Sequence, residues 1–197
     1  VAATIPNCKA YDPAYAGEMA VIVDAGMREM VTEQRDVFYY VTLMNENYAQ
    51  PDLPEGAAEG VLRGCYIFDS WNRLSDKRER PISSKSVTLL GSGAILTEVV
   101  KAAELLVAEG IEVTVLSVTS WSELARDGQA CERRALAGEA EPSVETPSVG
   151  TPGVETPGVE MPGVPWLTQQ LAETSGPVIA ATDYVRAVPE SVRAWVP

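Results

Sequence analysis

Residues 86–118 constrain the fold more than any other stretch of the chain. Val87–Leu90 is a short apolar run, Gly91-Ser92-Gly93 breaks it, and Ala94–Glu109 carries Val99, Ala103 and Leu106 at helical spacing. Gly110 then stands where a helix commonly ends, and Glu112–Val118 (EVTVLSV) is a second apolar run. A strand, a helix-length crossover and another strand make a parallel pair with the helix packed on its face. Strands with so little polar alternation are covered on both sides. The expected class is therefore α/β, with parallel sheets flanked by helices. Ser120-Trp121-Ser122-Glu123 has capping-box spacing and opens the next helix.

The first third repeats the theme. Asp12-Pro13 reads as a helix start, since aspartate caps free amides and proline fits the first turn. Tyr15, Met19, Ile22, Val23, Gly26, Met27 and Met30 then fall on one stripe, which Glu18, Arg28, Glu29 and Glu33 avoid. Val37–Met44 (VFYYVTLM) is aromatic and β-branched and predicts a central strand covered on both faces. The loop NENYAQPDLPEG follows, then a short helix and a strand at CYIF. Residues 69–85 turn polar and read as a linker. Near the end, WLTQQLAETSG reads as a helix and Pro177–Thr182 as a strand, with Pro189 in the first turn of a last helix.

Residues 142–165 stand apart. They repeat PSVET, PSVGT, PGVET, PGVEM and PGVP, and a proline in every fifth place forbids a continuous helix. The expectation is an exposed, extended insertion, with a tail for a proline-binding module as the alternative.

Composition excludes several function classes. The net charge of −13 argues against nucleic acid or an anionic membrane as partner. No stretch approaches the roughly 20 apolar residues of a membrane span. There is no histidine, so histidine triads and histidine metal sites cannot be built from this chain. Cys8, Cys65 and Cys131 are widely spaced and odd in number, which suits small buried thiols in a cytoplasmic protein. The sequence opens at Val1, not Met, which reads as a processed chain or a piece of a longer one.

Five segments in order carry a resemblance: IPNCKAYDPAYAGEMAVIV, YYVTLMNENY with LPEGAAEG, VTLLGSGAIL, SVTSWSELARDGQACER and GPVIAATDYVRAVPESVRAWVP. Together they resemble the first, decarboxylating component of the bacterial pyruvate dehydrogenase complex, of the homodimeric thiamine-diphosphate-dependent type. The resemblance implies that residues 1–68 end a domain facing the aminopyrimidine of the cofactor. Residues 86–197 would be most of a transketolase C-terminal-like, Rossmann-type domain. It further implies Mg²⁺ and diphosphate bound upstream, pyruvate as substrate, and a lipoyl-bearing dihydrolipoamide acetyltransferase as partner. Two rivals stand beside it: a non-catalytic α/β assembly or dimerisation module, and another transketolase-like enzyme.

Within that resemblance Asn45, Glu46, Tyr48 and Tyr11 are the candidate cofactor contacts. Position gives the NENY loop two readings. It follows a strand at the carboxyl end, where α/β proteins place their sites, yet Asn and Glu are also ordinary turn residues. The family often has a histidine after NENY, and this chain has Ala49; the resemblance makes acetyl transfer the step in question. Asp12 reads as a helix cap, and Gly91-Ser92-Gly93 as a tight turn lacking the third glycine of a dinucleotide fingerprint.

Overall fold

A computed structural model describes residues 2–70, 85–138, 163–172 and 174–197. The linker residues 71–84 and the repeat residues 139–162 lie outside the described residues. Two sheets form. The smaller pairs β1 (Cys8–Tyr11) with β2 (Phe38–Val41) in parallel, joined by helix α1 (Ala16–Met27) and a π-helical turn at Arg28–Thr32. The larger contains β3 (Cys65–Ser70), β4 (Ser86–Gly91), β5 (Glu112–Val118) and β6 (Val178–Ala181), in the order β3-β5-β4-β6.

The crossover expected from residues 86–118 is present: β4 runs parallel to β5, and α3 (Ile95–Ala108) connects them. Alternation along the strands fills two cores. Leu89, Val113 and Val115 point to the layer of α3, with Leu96, Val99 and Ala103. Leu90, Leu116 and Val118 point the other way, to α4 (Trp121–Ala137) and α5 (Trp166–Leu171), meeting Trp121, Leu124, Leu167 and Leu171. Each such aliphatic side chain is worth about 1.5–3 kcal/mol when fully buried. Ser120 caps α4 as its spacing predicts, accepting from the Glu123 amide at 3.1 Å.

Four expectations need correction. The strand at 65–68 does not end the first sheet. It extends to Ser70 and pairs antiparallel with β5, so a division at residue 68 cuts across the larger sheet and Asp69 is not linker. β2 is not covered on both faces among the described residues, since Phe38 is 41% and Tyr40 54% exposed. The α1 stripe is also different. Ile22, Ala25 and Gly26 are buried and Val23, Met27 and Met30 are exposed, while Glu18 is wholly buried. Asp12 caps nothing, because the helix begins four residues later and Glu18 itself accepts from the Tyr15 amide at 3.1 Å. The last helix, α6 (Ala187–Glu190), contains Pro189 and is followed by a separate turn at Arg193–Trp195.

One glycine position is dictated by close approach. Gly64 joins α2 (Ala58–Arg63) to β3 at φ 108°, and a Cβ there would lie 2.6 Å from the Ser120 carbonyl oxygen.

Candidate functional site

Parallel strands end together, and here the residues just beyond β1, β2, β4, β5 and β6 converge. The Asp12 amide donates to Thr119 O at 2.7 Å, and the Gly93 amide donates to Asp12 O at 3.1 Å. Thr42 donates to Asp12 Oδ1 at 2.6 Å and lies 3.2 Å from the Tyr184 hydroxyl, while Ser92 donates to Thr182 at 3.0 Å. Asp12 Oδ2 is buried and accepts no hydrogen bond. Burial raises the Asp12 carboxyl above the usual range; the Thr42 hydrogen bond opposes this, and the Asp183 charge adds to it. The Gly91-Ser92-Gly93 segment is a tight turn packed on Asp12, with Gly93 at φ 53° and its Cβ direction 2.7 Å from Asp12 Oδ2. A phosphate cradle does not form there. Beside this cluster opens a cleft of about 720 Å³, lined by Phe38, Tyr40, Thr42, Asp12, Ser122 and Arg126 among others.

The NENY loop lies at the carboxyl end of β2. Asn45, Glu46 and Asn47 are exposed, and their side chains take no hydrogen bond among the described residues. Tyr48 is different: its hydroxyl donates to Ala14 O, and its ring meets Tyr15 edge-on at 6.1 Å. Tyr11 is buried, donates to Leu62 O at 2.8 Å and stacks on Tyr39 at 5.7 Å. Burial pushes both phenols upward, with nearby carboxylates adding to it. The two tyrosine hydroxyls are thus spent on backbone carbonyls, and Asn45 and Glu46 are the open members of the predicted set.

Glu18 went unrecognised in the sequence. Its Oε2 accepts from the Ala14 and Tyr15 amides and its Oε1 from Tyr66 and Ser117. The signal available was its place at the third position of a helix, where glutamate commonly folds back on the cap. Among the described residues no three His, Cys, Asp or Glu side chains form a group that could hold a metal. The three thiols are free and buried, and burial raises those of Cys65 and Cys131. No described helix is long and apolar enough to cross a membrane.

Comparison with known proteins decides the family. Residues 1–51 match the pyruvate dehydrogenase E1 component middle domain, and residues 64–195 match the transketolase-like TK C-terminal domain. The pyruvate dehydrogenase E1 component of Pseudomonas aeruginosa is 44% identical over 100% of this chain and 19% of its own length. This chain belongs to the pyruvate dehydrogenase E1 family. The E1 component of Escherichia coli K12 is 41% identical over 98% of the chain, and that of Mycobacterium tuberculosis is 39% identical over 100%. The chain spans 19% of the length of each of these E1 relatives. A transketolase variant from Pichia stipitis has a solved structure similar at a TM-score of 0.42 and 17% identity, covering 61% of this chain and 15% of that one. That likeness is too slight to add to the assignment. The architecture of this chain is α/β, with mostly parallel sheets flanked by helices.

Proposed function

We propose that the chain is part of a cytoplasmic enzyme that decarboxylates pyruvate with thiamine diphosphate and Mg²⁺ and passes the acetyl unit to a lipoyl-bearing acetyltransferase. The observation that carries this reading is the 44% identity that runs through the whole chain to a pyruvate dehydrogenase E1 component. In it, the part through α2 belongs to the pyrimidine-facing domain and β3 onward to the C-terminal domain. The enzyme works as a homodimer.

The residues present fit one end of the cofactor only. Asn45 and Glu46 offer an amide and a carboxylate, unpaired and exposed at a strand end, which suits the ring nitrogens and amine of an aminopyrimidine. Tyr48 shapes the same loop by its anchorage on Ala14. Tyr11 supports the sheet beneath. The described residues offer no group of His, Cys, Asp or Glu side chains that could hold the cation. When bound, thiamine diphosphate supplies the carbon nucleophile and the electron sink for loss of CO₂. The chain's own share is to hold the loop in place and shield the site from water.

Calorimetric titration of thiamine diphosphate with Mg²⁺ tests this, using the 197-residue chain beside the longest product of its gene. Tight binding by the long product alone is the expected result. Tight binding by the short chain would relocate the diphosphate site into it. Absence of binding by both would overturn the catalytic reading and favour an assembly module.

A further inference from the structure

A fully buried glutamate is costly unless its oxygens are satisfied, and Glu18 is 0% exposed. Its four donors come from separate parts of the fold. The Ala14 and Tyr15 amides at 2.5 and 3.1 Å belong to the entry of α1. Tyr66 at 2.8 Å is on β3 and Ser117 at 2.5 Å on β5, both in the larger sheet. Capping α1 requires only the first pair of bonds. The second pair fixes that helix entry to the other sheet.

The same helix entry carries the NENY loop. Ala14 presents its amide to Glu18 and its carbonyl to the Tyr48 hydroxyl. Two residues on, the Ala16 amide donates to Gln50 Oε1 at 2.9 Å. The loop therefore hangs at Tyr48 and Gln50 from Ala14–Ala16, and one carboxylate hydrogen-bonds that segment to the larger sheet, beside the stacking of Tyr15 on Phe68 at 5.3 Å. Ala14 and Tyr15 are themselves buried, at 4% and 8% exposure, so the segment has little room to shift independently.

We infer that Glu18 is a positioning residue: it transmits the placement of the larger sheet to the Asn45–Tyr48 loop. Its consequence for cofactor binding rests on the reading of that loop given under Proposed function; the mechanical link does not. Ser117→Ala is the informative change, because it removes one donor from the far side of Glu18, remote from the loop, without stranding a backbone amide. Tyr48→Phe cuts the link on the near side. Glu18→Gln is the conservative control: its oxygen can serve the two amides while the Ser117 and Tyr66 hydroxyls turn to accept from its amide nitrogen.

Limited proteolysis within residues 43–50 of the full-length protein, followed by mass, reads local opening of the loop. Ser117→Ala should raise cleavage there about threefold to tenfold, the effect of losing one ordinary hydrogen bond. Tyr48→Phe should do the same, and the double variant should be no faster than Tyr48→Phe alone. Glu18→Gln should stay near the parent rate. Multiplying effects in the double variant, or a lowered melting point with unchanged loop cleavage in Ser117→Ala, would overturn the inference. A separate arm measures thiamine diphosphate affinity in the full-length protein with Asn45→Ala. An unchanged affinity there removes the cofactor reading of the loop and leaves the proteolysis result to stand alone.

Discussion

Gly64→Ala isolates what a close backbone approach is worth. Gly64 and Gly110 both lie at positive φ, 108° and 79°, but a Cβ on Gly110 meets nothing within 4 Å. On Gly64 it would meet Ser120 O at 2.6 Å and Leu124 Cγ at 2.9 Å. The left-handed backbone costs an alanine about 1–2 kcal/mol, and the stiffer unfolded chain returns about 0.4–1 kcal/mol. Gly110→Ala should therefore lose about 1 kcal/mol. Gly64→Ala carries the same terms plus an overpacking cost of about 1–3 kcal/mol, for a total near 2–4 kcal/mol. Relief by movement is restricted on the Ser120 side, because the Thr119 and Ser120 amides both donate to Gly64 O, at 2.9 and 3.1 Å. Shifting either partner strains the junction of α2, β3 and α4. Urea unfolding of both variants, at matched m-values, gives the two losses directly. Equal losses would refute the reasoning, since the shared backbone conformation would then account for everything.

Three further outcomes are expected. Burial raises the Asp12 carboxyl, so the folded chain keeps its proton where the unfolded chain has released it. Stability then falls as pH rises from the ordinary carboxylate value through the folded one; Asp12→Asn, with nothing to ionise, should gain on the parent across that window in urea titrations at several pH values and hold the gain above it. Cys8, Cys65 and Cys131 are buried, so a chromogenic disulfide reagent should react slowly with the native chain and titrate all three in denaturant. Gly93→Ala should cost about 2–4 kcal/mol in the same unfolding assay, the same backbone and overpacking terms as at Gly64, because Gly93 is at φ 53° and its Cβ would lie 2.7 Å from Asp12 Oδ2.

What the sequence made legible was local. The unit of β4, α3, β5 and the start of α4 follows from apolar runs, one glycine stop and one capping box, each confined to a few neighbouring residues. Glu18 lies off the predicted α1 stripe, yet it is wholly buried, and two of its partners, Tyr66 and Ser117, stand 48 and 99 positions away. Periodicity has no access to such partners. The exposed Val23 and Met27 fail for the converse reason: their spacing is apolar, but among the described residues they stay 41% and 59% exposed. β2 shows the same limit. Its apolar run correctly marked a strand, and the covering of Phe38 and Tyr40 is a property of tertiary packing that the run does not encode.

Asp12 shows why the candidate site was only half readable. Asp-Pro is a good local signal for a helix start, but the chain uses Asp12 as the first residue beyond β1. Its amide is given to Thr119 at the end of β5, and its carbonyl receives Gly93 at the end of β4. One peptide segment thus joins the two sheets through main-chain bonds, which any residue could make. What requires aspartate is the side chain, whose Oδ1 takes the Thr42 hydroxyl 30 positions on while Oδ2 stays buried without a partner. An unpaired buried oxygen costs about 1–3 kcal/mol, a burden that packing alone gives no reason to keep. The main-chain junction accounts for the fold at this point. The unpaired Oδ2 is the part left over, buried at a residue that lines the cleft.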